Sequence, residues 1–207
     1  PETCLSMAPE LTAETGMDAL CHAFEAYVSK AASPLTDMAA IRTVELVSGH
    51  LHAAFSRPDD MAAREKMMTA SLSAGIAFSN ASLGLVHAMA HSLGGRMGIA
   101  HGLCNAILLE KVAAYNFPSA PERYRRLARA MGVAVEDRND HQVSEDLTGA
   151  IRALRRQLGI RIRLSQLGVP EAELETLSES ASRDACLATN PRDASTDQIR
   201  QIFKQIL

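Results

Sequence analysis

Four cysteines are spread along the 207-residue sequence, and no two of them form a CxxC pair. This spacing argues against a disulfide framework and against a zinc ribbon. No apolar run is long enough to span a bilayer, and no signal peptide opens the chain. The formal net charge of −3 gives no reason to expect a polyanionic partner. We therefore expect a cytoplasmic protein with reduced thiols and without a nucleic-acid or membrane partner.

Strand signals are also scarce, and no GxGxxG motif follows a strand. Instead, segments rich in Ala, Leu and Met carry apolar residues three and four positions apart, which is typical of amphipathic helices. Hydrophobic residues make up 47% of the chain and charged residues only 22%, enough to bury a substantial core. The sequence predicts an all-α fold, a multi-helix bundle.

Proline, glycine and polar residues indicate where the helices end. Joints are expected at Ser33-Pro34 and at 57–60, and the polar segment 135–142 is predicted to be a loop. Gly94-Gly95 is predicted to end one helix, and His101 to start the next. Residues 171–188 read as one helix, and Ser195 or Thr196 as the N-cap of the last. The arginines between 123 and 163 are interpreted as the solvated face of one or two helices.

Histidines are concentrated between residues 86 and 101, which hold His87, His91 and His101. His87 and His91 are four residues apart, so a helix projects both from one face. Asp18 and His22 have the same spacing in the first helix. Polar groups on an apolar helix face are costly unless something satisfies them. A divalent metal would satisfy several at once, and three imidazoles with one carboxylate suit zinc or ferrous iron.

Histidines on apolar helix faces also occur without a metal, because a core imidazole is commonly hydrogen-bonded to a carbonyl group. A metalloprotease HExxH motif is absent because residue 88 is alanine, and a di-iron bundle needs Glu-x-x-His twice, whereas only the reversed His22-x-x-Glu25 is present. No His-Asp dipeptide occurs. Spacing alone thus favours a metal site over hydrogen-bonded core histidines and leaves the reaction unassigned.

Four blocks of sequence resemble a known family. They are ELTAETGMDALCHAFEAYVSKAASPLTDMAA, AGIAFSNASLGLVHAMAHSLGG, AHGLCNAILL and ATNPRDAS. Their order and spacing are similar to the C-terminal, metal-binding helical domain of the iron-containing (group III) alcohol dehydrogenases. The resemblance implies that Fe²⁺ or Zn²⁺ is held by one aspartate and three histidines: Asp18, His22, His87 and His101. It also implies that His91 is no ligand but a catalytic residue beside the nicotinamide and the substrate.

The reaction that this resemblance implies is NAD(P)-linked interconversion of a small primary alcohol and its aldehyde or ketone, with the metal as Lewis acid. His91 would relay protons. Phe78 and Cys186 resemble substrate-pocket positions, although ordinary core packing explains both residues equally well. Two departures from the family pattern are Ser92 and Glu110, which stand where proline is usual. They bear on the shape of the pocket, not on the metal ligands.

The family also has an N-terminal α/β nucleotide-binding domain, and no glycine-rich phosphate loop of that kind occurs in this sequence. The resemblance therefore implies that residues 1–207 are the helical catalytic domain of a two-domain dehydrogenase. We expect this chain to be inactive alone, and the complete enzyme to be a homo-oligomer, such as a dimer. The alternative is a stand-alone helical metal-binding or interaction module without dehydrogenase activity. The complete ligand set, together with His91, favours the first interpretation.

Overall fold

The computed structural model describes residues 1–207 and contains nine α-helices and no β-strand. The helices are α1 (Pro9–Val28), α2 (Pro34–Ser56), α3 (Met61–Ala81), α4 (Leu85–Met97), α5 (His101–Asn116), α6 (Pro121–Ala130), α7 (Asp140–Gln157), α8 (Leu174–Ser182) and α9 (Thr196–Lys204). Short 3₁₀ segments lie at Glu2–Cys4, Phe117–Ser119, Ser165–Leu167, Glu171–Glu173 and Ala185–Thr189. The all-α prediction is confirmed.

Three of the helices begin with a capping box, in which two residues satisfy each other's backbone N–H groups. Ser33 caps α2 and Ser195 caps α9, at the positions that the sequence predicts. The third box joins Asn139 to Gln142 and starts α7 at Asp140. The loop predicted over residues 135–142 therefore ends earlier than predicted, at Asn139. The side chain of Asn139 accepts a hydrogen bond from the Gln142 N–H and starts the helix there.

The predicted helix end at Gly94-Gly95 is also wrong. Helix α4 continues through both glycines to Met97 and ends at Gly98, whose φ of 67° lies in the left-handed region. The Gly98 N–H donates to the Gly94 carbonyl at 3.0 Å. A glycine within a helix costs only about 1 kcal/mol relative to alanine, so it lowers helix stability without ending the helix. The left-handed residue after the last turn is what ends it.

The segment 171–188 is not one helix. Helix α8 covers only its middle, and Arg183 follows as the C-cap residue. Asp184 then accepts a hydrogen bond from the Cys186 N–H at 2.8 Å and caps the 3₁₀ turn Ala185–Thr189. An aspartate that caps a new turn offers the backbone an alternative to continuing the helix. This break gives Asp184 its place beside the site described below.

One connected cluster of buried apolar side chains draws on all nine helices. Helices α1, α2 and α3 pack against one another, and α5 packs on the other side of α1. Helix α4 lies against both α5 and α8, while α9 covers α8. Helix α1 is central to this arrangement, and both its flanks are buried. The metal-ligand candidates on α1, α4 and α5 are therefore presented by mutually packed helices.

Helices α1 and α5 approach each other closely at Gly102. A Cβ atom added there would lie 2.5 Å from the backbone oxygen of Glu14 and 2.8 Å from its carbonyl carbon. Backbone atoms cannot rotate away as a side chain can. The missing side chain of Gly102 thus allows the N-terminus of α5, which carries His101, to reach the middle of α1.

We expect Gly102→Ala to destabilise the protein by about 1–3 kcal/mol, because α1 and α5 must separate to admit the methyl group. Urea denaturation followed by circular dichroism measures this change. Gly149→Ala in α7 is the matched control: its Cβ would meet nothing within 4 Å, so it should raise stability by about 0.5–1 kcal/mol. Equal effects of the two substitutions would contradict the close approach.

No single helix combines the length and the apolar character that crossing a membrane requires. Helices α3 and α4 meet such a criterion only when taken together, and they bend by 103° where they join.

Candidate metal centre

One carboxylate and three imidazoles meet where α1, α4 and α5 converge. Asp18 and His22 lie on α1, His87 on the first turn of α4, and His101 at the start of α5. Each offers one ligand atom, and the four atoms all lie within 4.8 Å of one another. Every one of these four residues is predicted from the sequence as a ligand. The structure brings them together, and their role as metal ligands stays a prediction.

The oxygens of Asp18 lie close to nitrogens of all three imidazoles. The distances are 3.8 Å to His22 Nδ1, 3.7 Å to His87 Nε2 and 3.4 Å to His101 Nε2. Four donors at zinc-type bond lengths of about 2.1 Å lie roughly 3.4 Å apart in a tetrahedron. The observed separations are therefore near those that a tetrahedral centre requires. Three imidazole nitrogens and one carboxylate oxygen also match the donor preference of zinc and ferrous iron.

A carboxylate from α1 orients the imidazole of His87. The Oε2 atom of Glu25 lies 2.6 Å from His87 Nδ1, and both residues are buried, at 4% and 1% exposure. This contact leaves Nε2, on the opposite side of the ring, to face Asp18. A carboxylate behind a metal-ligating histidine commonly fixes its tautomer and ring orientation in this way.

Glu25 also caps helix α4, which has no capping side chain of its own. It accepts hydrogen bonds from the N–H groups of Gly84, Val86 and His87, at 3.0, 2.5 and 3.4 Å. Asn190 Oδ1 accepts the remaining one, from Leu85, at 3.1 Å. All four free N–H groups at this helix end are thereby satisfied, and the negative charge lies at the positive end of the helix dipole.

Opposing influences determine the charge states of the four residues. Burial would raise the pKa of Asp18, but the nearby imidazoles of His101, His87 and His22 hold it well below its usual range. Burial lowers the pKa of His22 to about 4. Burial would also lower the pKa of His87, but Glu25 and Asp18 together raise it to about 9. A ligand must be deprotonated at its coordinating atom, and Asp18 and His22 already meet that condition.

Asn105, one turn after His101 on α5, completes the polar cluster. Its Nδ2 atom donates to Asp18 Oδ1 and lies 3.2 Å from His87 Nε2 and 3.0 Å from His101 Nε2. Its Oδ1 atom is buried without a hydrogen-bond partner. An unsatisfied buried oxygen is costly in a protein alone, and the Nδ2 atom of the same amide contacts three of the four candidate ligand atoms. This unsatisfied oxygen, together with a donor set of one carboxylate oxygen and three imidazole nitrogens, fits a divalent metal.

His91 lies next to this cluster without joining it. Its ring stacks on His101 with 5.6 Å between centroids, and its Nδ1 lies 2.8 Å from Asp184 Oδ2. The side chain is 45% exposed, and a polar cavity of about 480 Å³ lies beside it. Ser92, one of the departures from the family pattern, also lines that cavity, although its hydroxyl is directed to the Met89 carbonyl at 2.8 Å.

The two predicted pocket residues contact different histidines of the site. Phe78 on α3 stacks on His22 with ring centroids 4.4 Å apart. Cys186 lies by His91 and Asp184, the three polar atoms being within 4.8 Å of one another. Burial, followed by the neighbouring carboxylate of Asp184, raises the pKa of the Cys186 thiol to about 12. Both residues are partly exposed, and their contact with a substrate stays a prediction.

Comparison with known proteins identifies the family. The family model for the C-terminal part of the Fe-containing alcohol dehydrogenase family matches residues 12–207. The chain belongs to this family. A 1,3-propanediol dehydrogenase of Citrobacter freundii is 43% identical to it over 99% of the chain and 53% of the relative's length. An NAD-dependent methanol dehydrogenase of Bacillus methanolicus is 38% identical over the whole chain and 54% of the relative's length.

A solved structure supports the same family. The crystal structure of a 1,3-propanediol oxidoreductase superposes with a TM-score of 0.96 and 42% identity, covering 98% of this chain and 53% of the other. The iron-containing alcohol dehydrogenase resemblance inferred from the four sequence blocks is thus confirmed. The chain spans about half the length of the relatives it matches.

Sequence reasoning missed three residues that shape this iron-containing alcohol dehydrogenase site. They are Glu25, Asn105 and Asp184. Glu25 enters the sequence interpretation only through the reversed di-iron motif, although its i, i+3 spacing from His22 is a signal that it lies near the cluster. Asn105 is four residues after His101, which places it on the same helix face. Nothing in the local sequence signals the approach of Asp184 to His91.

Proposed function

We propose that residues 1–207 are the metal-binding catalytic domain of a two-domain, NAD(P)-dependent alcohol dehydrogenase. Its substrates are a small primary alcohol and the corresponding aldehyde. The observation that carries this proposal is the convergence of Asp18 with His22, His87 and His101. The neighbouring His91 lines an open polar cavity. Bound by these four residues, Fe²⁺ or Zn²⁺ supplies a Lewis acid that polarises the alcohol or carbonyl oxygen.

The residues of the chain have separate tasks in this reaction. Asp18 and the three imidazoles hold the ion, and Glu25 keeps the ring of His87 in the required orientation. His91 moves the proton: Asp184 occupies its Nδ1, so Nε2 is left to exchange a proton with the substrate or with water. Phe78 and Cys186 form apolar walls of the substrate pocket.

The complete enzyme supplies the hydride carrier, NAD(P), from an α/β nucleotide-binding domain. One relative is named as NAD-dependent. Holding the nicotinamide against the substrate lowers the entropic part of the activation barrier. Positioning of this kind in intramolecular reactions corresponds to effective molarities on the order of 10⁵–10⁸ M. His91 would lie at the nicotinamide as well as at the substrate. We further propose that the complete enzyme is cytoplasmic, forms a homo-oligomer such as a dimer, and acts without nucleic-acid or membrane partners.

The proposal is tested with two proteins: the 207-residue chain, and the same residues fused behind the remaining half of the Citrobacter freundii relative. We expect metal binding by both, but NAD(P)-linked turnover of small primary alcohols and aldehydes by the fusion alone. Replacing His91 by alanine in the fusion should reduce turnover by about 10²–10⁴-fold with the metal retained. Arg183→Gln, on an exposed residue near Asp184, is the control.

Robust turnover by the 207 residues alone would show that the second domain is dispensable. A fusion that binds metal and nucleotide yet converts no alcohol or aldehyde would favour the stand-alone module. Turnover that survives His91→Ala unchanged would remove the proton-relay role from this residue.

A further inference from the structure

A cleft of about 160 Å³ lies between α5, the end of α7 and the C-terminal residues. It is far from the metal centre: Glu110 on its wall is nine residues beyond His101 on α5, roughly 14 Å along the helix axis. Its charged lining residues are Glu110, Lys111, Arg152, Arg155, Arg156 and Arg163. We refer to it as the arginine cleft.

Positive charge in the arginine cleft is not balanced. Its one carboxylate, Glu110, is 5% exposed, and a single oxygen of it contacts both Lys111 Nζ at 3.1 Å and Arg152 Nη2 at 2.7 Å. Arg155 and Arg156 have no ion pair and no side-chain hydrogen bond. Exposed arginines elsewhere are often paired, as Arg129 is with Glu136. The cleft is therefore a local excess of cations.

Arg163 also contributes an unpaired positive charge to the cleft. It lies in the loop after α7 and forms no ion pair. Its backbone N–H donates to Gln166, but its guanidinium group has no hydrogen-bond partner. The arginines of the cleft thus belong to two segments of the chain. They converge on one volume, which differs from the solvated helix face that the sequence indicates.

Arg155 shows that this arrangement is unfavourable in the protein alone. Its Nε atom is buried without a hydrogen-bond partner. Burial lowers the pKa of its guanidinium group, and the charges of Arg156 and Arg152 lower it further, against the opposing effect of Glu110. A buried donor without an acceptor and neighbouring like charges are both relieved by a bound anion.

The helix dipole accounts for part of this pattern but not for all of it. Arg155 and Arg156 lie in the last turn of α7, where cations interact favourably with the negative helix end. Lys111 belongs to α5 and Arg163 to the following loop, so neither is placed by that dipole. Nor does the dipole supply a partner for the buried Arg155 Nε.

We infer that the arginine cleft is a binding site for a phosphate group, either free inorganic phosphate or the phosphoryl group of a small metabolite. Planar guanidinium groups present paired N–H donors that match the oxygens of a phosphate. A doubly charged tetrahedral anion can accept from several arginines at once, and a cleft of this size admits a group of that kind. Gln205 also lines the cleft, and its amide can donate a hydrogen bond without adding charge.

The test is calorimetric titration of the protein with inorganic phosphate at an ionic strength held constant with sodium chloride. We expect saturable binding at one site. The double variant Arg156→Gln/Arg163→Gln should weaken it by about tenfold or more, because charge-assisted hydrogen bonds are lost. Both residues are exposed, so the fold should persist, and circular dichroism verifies this. The matched control is Arg161→Gln/Arg183→Gln, which removes two exposed, unpaired arginines outside the cleft.

A third variant separates binding from structural support. Glu110→Gln removes the carboxylate that competes for the cleft's cations, so it should strengthen phosphate binding while weakening the contact to Arg152. A purely structural role of the cluster would not give this opposite sign. Titration with glycerol phosphate distinguishes the sources: tighter binding than inorganic phosphate indicates a phosphorylated metabolite, and weaker binding indicates the free ion.

Three results would overturn the inference. One is an unchanged affinity in the Arg156→Gln/Arg163→Gln variant. Another is equal weakening in both double variants, since this would reflect net charge only. The third is no saturable binding of either phosphate compound to the unaltered protein.

Discussion

Replacing His87 by alanine is expected to abolish stoichiometric metal binding. His87 is 1% exposed and lies within 3.7 Å of Asp18, so no other side chain or bulk water can readily take its place. Loss of a supporting residue outside the ligand set typically costs 10–100-fold in metal affinity, and loss of a ligand should cost at least about 100-fold. The metal content, measured by elemental analysis after dialysis, should fall from about one ion per chain to a small fraction of that.

The control is His141→Ala, which removes an exposed histidine of α7 whose ring lies 3.5 Å from Glu145. It should leave metal content unchanged. Full occupancy in a chain that lacks both His87 and His101 would refute the proposed ligand set. The metal found in the purified protein also reflects availability, because the Irving–Williams order favours zinc over ferrous iron at such a site. Binding should therefore be compared for both ions under anaerobic conditions.

Glu25→Ala is expected to lower the free energy of unfolding by about 3–5 kcal/mol, as removal of one partner of a buried charged pair typically does. The substitution takes away the acceptor of three backbone N–H groups and of the His87 ring. Metal affinity should fall as well, by about 10–100-fold, because nothing then orients the His87 imidazole. Urea denaturation of the metal-free protein measures the first effect, and zinc titration against a competing chelator measures the second.

Glu25→Gln is the informative companion of this variant. Glutamine retains one oxygen that can accept from the N–H groups of α4, but its NH₂ group cannot accept from His87. Stability should therefore be partly restored, while metal affinity stays low. If Glu25→Ala were as stable as the unaltered protein, the capping of α4 by this carboxylate would be energetically irrelevant.

The sequence is informative wherever a structural cause acts within one or two helical turns. Asp18 and His22 share a face because of their spacing, and the capping of α9 by Ser195 is predicted correctly. Local signals fail when several of them compete. Three glycines stand near the end of α4, and only Gly98 has the left-handed conformation that ends it. Its conformation depends on the path to α5, which the local sequence does not encode.

Contacts between distant segments are beyond prediction from one sequence. Glu25 and His87 are 62 residues apart, and their contact requires that α1 and α4 pack. The same applies to Asp184, which reaches His91 across 93 residues because a 3₁₀ turn interrupts the segment after α8. The family resemblance indicates the four ligand candidates, but it does not provide the carboxylates behind them.

The distance in sequence between α1 and the other two ligand-bearing helices has a consequence for folding. Most of the chain's N-terminal half lies between Asp18 and His101, so an ion held by both acts as a removable cross-link that closes a long loop. Because the unfolded chain has no preformed site, binding energy becomes folding energy. The bound ion would therefore stabilise the folded state reversibly. Its removal by a chelator would loosen the junction of α1, α4 and α5 before the α2–α3 pair.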